Sequence, residues 1–171
     1  MIDVRRLDAD AARAALPQLA RILSDAVANG DSVSFMIPLA VDDAAAFFES
    51  VIADVERGKR VLLAAMDGDE VVGTVQFVSV WQPNSTHRAD VVKLLVRHDR
   101  RGEGIGRLLM ERLEDEARAD GKTLLILDTV AESVADGLYE RLGWQRLGVV
   151  PGYALDPHGT MCAAAFFYKQ L

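Results

Sequence analysis

The sequence predicts an α/β protein with a mixed central sheet flanked by helices, and three features point there. A strand, helix, strand unit runs from Arg88 to Leu127 and calls for two parallel strands, because its crossover is a helix. Two β-rich runs joined by Asp67-Gly68-Asp69 read as an antiparallel hairpin just before it. Two segments with helical spacing of apolar residues precede the hairpin and can cover the sheet.

Each element has its own signal. Ile2 to Leu7 alternates as a first strand, and Pro17 suits the first turn of a helix whose apolar positions Leu19, Ile22, Leu23 and Val27 lead to Asn29-Gly30. Asp31 to Leu39 is an apolar but aperiodic connector, after which Asp42 caps a second helix carrying Phe47, Phe48, Val51, Ile52 and Val55 up to Gly58. Arg60 to Met66, Glu70 to Val80 and Arg88 to Val96 are consecutive strands, the last entered through the turn at Pro83-Asn84. After Gly106, residues Leu108, Leu109, Leu113 and Ala117 form the apolar stripe of a helix that ends at Asp120-Gly121. The unbroken apolar run Leu124 to Leu127 reads as a strand covered on both faces. Ser133 to Leu142 is a further helix stopped by Gly143. Gln145 to Val150 and Cys162 to Lys169 close the chain as strands around a turn-rich excursion from Pro151 to Gly159.

Composition narrows the function. A chain of 171 residues fits one domain, residues 1–171, and 50% apolar with 26% charged residues is the balance of a folded globular chain. A net charge of -7 argues against non-specific binding to nucleic acid or to an anionic membrane, since both need a basic face. No apolar stretch approaches the length of a membrane span, and Asp3, Arg5, Arg6 and Asp8 stand where a signal peptide would be apolar, so a cytoplasmic protein is expected. The single cysteine, Cys162, rules out an intrachain disulfide and a thiolate zinc cluster; it reads as a small core residue of an apolar strand. His87, His98 and His158 have no metal-ligand spacing, so loop or surface positions and no metal site are expected.

The most informative segment is Arg100-Arg101-Gly102-Glu103-Gly104-Ile105-Gly106-Arg107, between the strand ending at Val96 and the following helix. Its glycines let the backbone approach a ligand, its N–H groups and the helix N-terminus favour an anion, and Arg97, Arg100, Arg101 and Arg107 add local positive charge. That is the chemistry of a pyrophosphate cradle, although a tight turn needing glycine for geometry alone would look the same. A dinucleotide fingerprint fails because Arg107 occupies its third glycine position, and a P-loop fails for lack of Gly-Lys-Ser/Thr.

With Arg101, Gly104 and Gly106 after a valine-ended strand, the segment resembles the acetyl-CoA motif of the GNAT N-acetyltransferase family. Ala135, Tyr139 and Gly143-Trp144 resemble that family's second cofactor motif, and the order of elements matches along essentially the whole chain. Where the family often has Asn three positions before Ala135, this chain has Glu132, and Ser133 is the nearest substitute for a hydrogen bond to the cofactor arm. Ser32 to Met36, Arg88 to Leu94, Leu127-Asp128-Thr129, Pro151-Gly152-Tyr153 and Phe167-Tyr168-Lys169 further resemble the tabtoxin-resistance branch of the family, which acetylates the amine of a β-lactam amino acid toxin.

The resemblance implies acetyl-CoA as cosubstrate, bound by Arg101, Gly102, Glu103, Gly104, Ile105, Gly106, Arg107 and Ser133. It also implies that main-chain N–H groups of Leu94, Leu95 and Val96 polarise the thioester carbonyl. Amine acetylation needs a group that removes a proton from the amine and one that returns a proton to the leaving thiolate. Asp90 and Asp128 lie on neighbouring strands and match the branch's bases; the alternative is that Asp128 caps the next helix or pairs with Arg88 or Lys93, and that Asp90 is merely solvated. Tyr139, one turn after Ala135, is the expected acid, or else a core aromatic. Phe35, Trp81 and Tyr153 are candidates for the acceptor wall, or for plain packing. Arg88 would pair with an acceptor carboxylate or with Asp90. The expected acceptor is a small-molecule amine, an amino acid or toxin analogue attacked directly in a ternary complex, and a homodimer is compatible with this reading. Three other readings remain open: a protein or peptide N-acetyltransferase, which would show an open groove; a polyamine or aminoglycoside enzyme, which would ring the mouth with acidic residues; and a silent acyl-CoA-binding module, which would keep the Arg101 to Gly106 loop but be indifferent to Tyr139, Asp90 and Asp128.

Overall fold

In the computed structural model, which describes Met1–Leu171, each predicted element is present, with boundaries moved where packing or capping overrode a local signal. The strands are β1 (Asp3–Leu7), β2 (Arg60–Asp67), β3 (Glu70–Ser79), β4 (Arg88–Val96), β5 (Leu124–Val130), β6 (Gln145–Leu155) and β7 (Met161–Gln170). They form one sheet in the order β1-β2-β3-β4-β5-β7-β6, antiparallel throughout except for the parallel pair β4 and β5. The helices are α1 (Ala9–Ala28), α2 (Val41–Glu56), α3 (Ile105–Ala119) and α4 (Val134–Arg141). None is long and apolar enough to cross a membrane.

Two helix starts differ from expectation. α1 begins at Ala9, eight residues before Pro17, because Asp8 caps it by accepting the Ala11 N–H at 2.8 Å and an alanine-rich stretch follows. Pro17 lies inside the helix on its exposed side, where water can serve the carbonyl left without a donor. α2 starts at Val41 with Ala40 at the cap, and Asp42 and Asp43 fall in its first turn, where carboxylates favour the positive end of the helix dipole.

Two apolar layers sandwich the sheet. On one face α1 and α2 bury Leu19, Leu23, Phe48 and Val51 against Leu62, Ala64, Val71 and Leu95. On the other, Leu109, Met110 and Leu113 of α3 and Tyr139 of α4 meet Leu63, Val75, Phe77, Leu125 and Phe167. This second layer carries a buried ionic cluster. Glu114, 6% exposed, accepts from Lys169 Nζ at 2.7 and 2.8 Å and from Trp144 Nε1 at 3.0 Å, and Lys169 also donates to the Leu142 carbonyl.

Toward β6 the layers part company. α1 and α2 lie against β1 to β4 and leave that face of β5, β7 and β6 without helical cover. Consequently β5 is not covered on both faces as its apolar run predicted: Leu125 and Leu127 are buried, Leu124 and Ile126 only partly, and Asp128 is exposed. β6, exposed along its whole length, is an edge strand and so tolerates Pro151; the expected excursion at 151–153 is a bulge inside it. The hairpin tip is shorter than predicted because the Asp156 carboxylate accepts from the His158 and Thr160 N–H groups, both at 2.9 Å. Cys162 is half-buried, not core, with Sγ 3.4 Å from the Ala154 carbonyl.

Candidate active site

The site forms where two parallel strands separate. β4 and β5 pair only from Arg88 to Asp90 against Leu124 to Ile126, while β5 continues to Val130 along β7. β4 stays paired to β3 as far as Val96, so the edge of Val92 to Val96 that faces β5 has no partner strand there. An extended ligand arm can add to that edge as a strand would. Leu95 is buried and Leu94 and Val96 pack on the α3 layer, so these residues offer backbone, not side chains, to the gap.

At the end of β4 the chain turns through Arg97 to Gly104 into α3. Gly102 and Gly104 have φ of 84° and 81°, values that an L side chain rarely adopts, so glycine is required here by conformation. The first backbone bond of α3 runs from Leu108 N–H to the Gly104 carbonyl at 3.1 Å, leaving the N–H groups of Ile105, Gly106 and Arg107 ahead of the helix ladder. An anion fits there. The side chains of this loop are otherwise engaged. Ile105 is buried in the core, Arg97 pairs with Glu70 and Asp99, Arg100 with Asp67 and Glu103, Arg101 with Asp31 across the cleft, and Arg107 with Glu111. The expected excess of positive charge is therefore largely matched by nearby carboxylates, and the cradle rests on oriented amides.

On the α1–α2 face lie the carboxylates. Asp90 sits opposite Ile126 in the register, and Asp128, two residues further along β5, shares that face. Asp128 caps nothing: Ser133 caps α4, its Oγ accepting the Asp136 N–H at 3.2 Å, which also commits the hydroxyl oxygen proposed for the cofactor arm. Protein packed around the Asp128 carboxyl raises its pKa, Lys93 opposes the shift and Asp90 adds to it. Arg88 forms the ion pair with Asp90 that the sequence allowed, Nε to Oδ1 at 4.0 Å, too long for a hydrogen bond, and Nε is buried without a hydrogen-bond partner.

Tyr139 approaches from the opposite face. Its ring packs on Trp144 and Phe167 at centroid distances of 6.0 and 5.7 Å, and only 5% of the residue is exposed. Burial, with the Asp128 charge, holds its pKa well above the ordinary phenol value, so it stays protonated and keeps an O–H to donate.

A roof of two loops closes part of the open face. The connector after α1 meets the β6–β7 tip where Ile37 N–H donates to the Pro157 carbonyl at 3.1 Å. Phe35 stacks edge-on against Phe47 at 5.3 Å, and Tyr153 against Phe166, the register partner of Asp128, at 5.1 Å. Trp81 is not brought into this group: it is 82% exposed in the connection between β3 and β4, ahead of the paired start of β4. Lys93, which the sequence offered only as a possible partner of Asp128, lies at the edge of the gap. It donates to the Val33 carbonyl at 2.6 Å and to Ser34 Oγ at 3.1 Å, and burial draws its pKa down to about 8. The signal was present as one charge inside the apolar run Val91-Val92-Lys93-Leu94-Leu95-Val96.

An anion cradle at a helix start, beside an unpaired strand edge with carboxylates on one face and a phenol on the other, is the arrangement that an acyl-CoA-dependent transferase needs. The acetyltransferase (GNAT) family model matches residues 25–144, and the chain belongs to that family. It is 31% identical over 144 residues to the L-methionine sulfoximine/L-methionine sulfone acetyltransferase of Pseudomonas paraeruginosa, covering 83% of this chain and 81% of that one. Among solved structures, an N-acetyltransferase from Staphylococcus aureus Mu50 superposes with a TM-score of 0.81 at 22% identity, covering 99% of this chain and 98% of the other. A Salmonella typhimurium protein solved with its cofactor acetyl-CoA gives 0.80 at 22% identity, covering 99% and 94%.

Proposed function

We propose that this acetyltransferase moves the acetyl group of acetyl-CoA to the primary amine of a small amino acid or a toxin analogue of one, by direct attack with both substrates bound. The observation that carries the reading is the placement of Asp90 and Asp128 on one face beside the gap where β4 and β5 separate. Two carboxylates there favour a cationic amine, and Arg88, two residues before Asp90 and with its side chain partly exposed, can turn the outer end of its guanidinium to a carboxylate on the same molecule. The relative that acts on methionine sulfoximine, itself a small amino acid, supports this acceptor class.

Acetyl-CoA supplies the activated acetyl group as a thioester. The amides of Gly102 to Arg107 would hold its pyrophosphate; of the β4 amides, Arg97 N–H bonds Val72 on the β3 side, so alternation leaves the N–H groups of Leu94 and Val96, not Leu95, on the unpaired edge to hold its arm and to donate to the carbonyl oxygen. Asp128, its basicity raised by its surroundings, accepts the amine proton directly or through water, with Asp90 beside it. The phenol of Tyr139 donates toward the departing sulfur. The test is a competition assay read by mass spectrometry, with small α-amino acids, aminoglycosides and lysine-containing peptides at equal concentration. Preferential labelling of the amino acids is expected; preference for either other class overturns the acceptor assignment.

A further inference from the structure

Three residues other than glycine have positive φ in this chain, Ser34 (73°), Lys93 (56°) and Glu132 (62°), and two of them touch. Such conformations are strained, and they persist where surrounding contacts hold them. At Lys93 the β3–β4 register shifts, with Gln76 opposite Val92 but Thr74 opposite Leu95. The shift changes the strand's phase: Val91, Leu94 and Val96 all pack on the α3 layer, while Leu95 enters the α1–α2 layer. Lys93 is thereby turned toward the α1–α2 side, where Nζ meets the Val33 carbonyl, Ser34 Oγ and the rings of Phe35 and Phe47 at 5.4 and 5.7 Å. Ordinary alternation would have sent it into the opposite layer.

We propose that Lys93 is a positioning residue that straps the connector Ser32–Phe35 down onto the edge of the β4–β5 gap, so that Phe35 forms a fixed wall of the acceptor site. The inference rests on the small-amine reading for its substrate consequence, but not for the strap itself. Nζ reaches the connector through two hydrogen bonds and two ring contacts, and it comes from the bulged residue of the strand that borders the gap. A cation held between aromatic faces and a carbonyl gains more than an exposed one, because little water competes.

The test uses the full chain saturated with CoA. In Lys93→Met, which keeps length and loses the charge and donors, amide hydrogen exchange across residues 32–36 should rise about tenfold, while exchange in α3 is unchanged. Ser34→Ala removes one of the two acceptors and should give a smaller rise, about threefold, which guards against a folding defect peculiar to Lys93→Met. In steady-state assays Lys93→Met should raise the acceptor KM about tenfold with the acetyl-CoA KM within about twofold, and Lys93→Arg should restore part of it. Unchanged exchange at 32–36 in both variants overturns the strap. Faster exchange with an unchanged acceptor KM overturns the wall. A wild-type protein that acetylates no small amine defeats the proposed function instead, and the exchange experiment still decides the strap.

Discussion

The two faces of the sheet are built differently. The α3–α4 face is apolar and closed, and its polar groups are locked in place: Glu114 is shared by Lys169 and Trp144, and Tyr139 is wedged between Trp144 and Phe167. The α1–α2 face is closed over β1 to β4 but open over β5 to β6, and there the charged groups Arg88, Asp90, Lys93 and Asp128 collect. The faces meet only where β4 and β5 part. A rigid face can hold a proton donor whose pKa is raised by burial, while the open face admits an acceptor and keeps its carboxylates near water.

That division predicts where substitutions act. Glu114→Ala should have the largest effect on stability, about 3 kcal/mol, because it leaves Lys169 and the Trp144 N–H without their partner in a buried place. Chemical denaturation would measure this, with turnover per folded molecule nearly unchanged. Tyr139→Phe, on the same face, should invert the pattern, with stability preserved and kcat lower by about 10²-fold at unchanged CoA affinity. A normal kcat would remove the phenol from the chemistry.

At the cradle, Gly104→Asn and Gly104→Asp strain the same left-handed residue, but only the second adds negative charge. Thermal shift with CoA should therefore weaken modestly in the first and by a further tenfold or more in affinity in the second. If both lose CoA equally, backbone strain alone explains the loss. On the open face the prediction concerns pH. If Asp128 is the proposed base, the wild type needs it ionised, and its raised pKa places loss of activity on the acid side, with recovery as pH rises through that pKa. Asp128→Asn and Asp90→Asn should each be most impaired at low pH, where the amine is protonated, and recover partly in alkali. Failure to recover would make that carboxylate a positioning group. Trp81→Ala should change least, within about 0.5 kcal/mol in stability and with the acceptor KM unaltered.

How much was legible beforehand follows from the range of the interactions involved. The turn and helix start proposed as the cradle were legible because Gly102, Gly104 and Ile105 to Arg107 lie within six residues, and such geometry is decided locally. The parallel pair was legible because a helix between two strands permits little else. By contrast, Pro17 and Asp42 misplaced two helix starts, since Asp8 and an alanine-rich stretch outweighed one local signal, and dipole and cap positions accept the same residue type. The sequence by itself determined the elements, their order and the amides that can hold a phosphate. Only the tertiary structure decided that β4 and β5 part after Asp90, that β5 is bare on one face and that nearby carboxylates pair with the cradle's arginines. It also decided that Lys93 reaches Val33 across sixty positions of chain. Strand pairing, burial and charge neutralisation depend on partners distant in sequence, and no local pattern carries them.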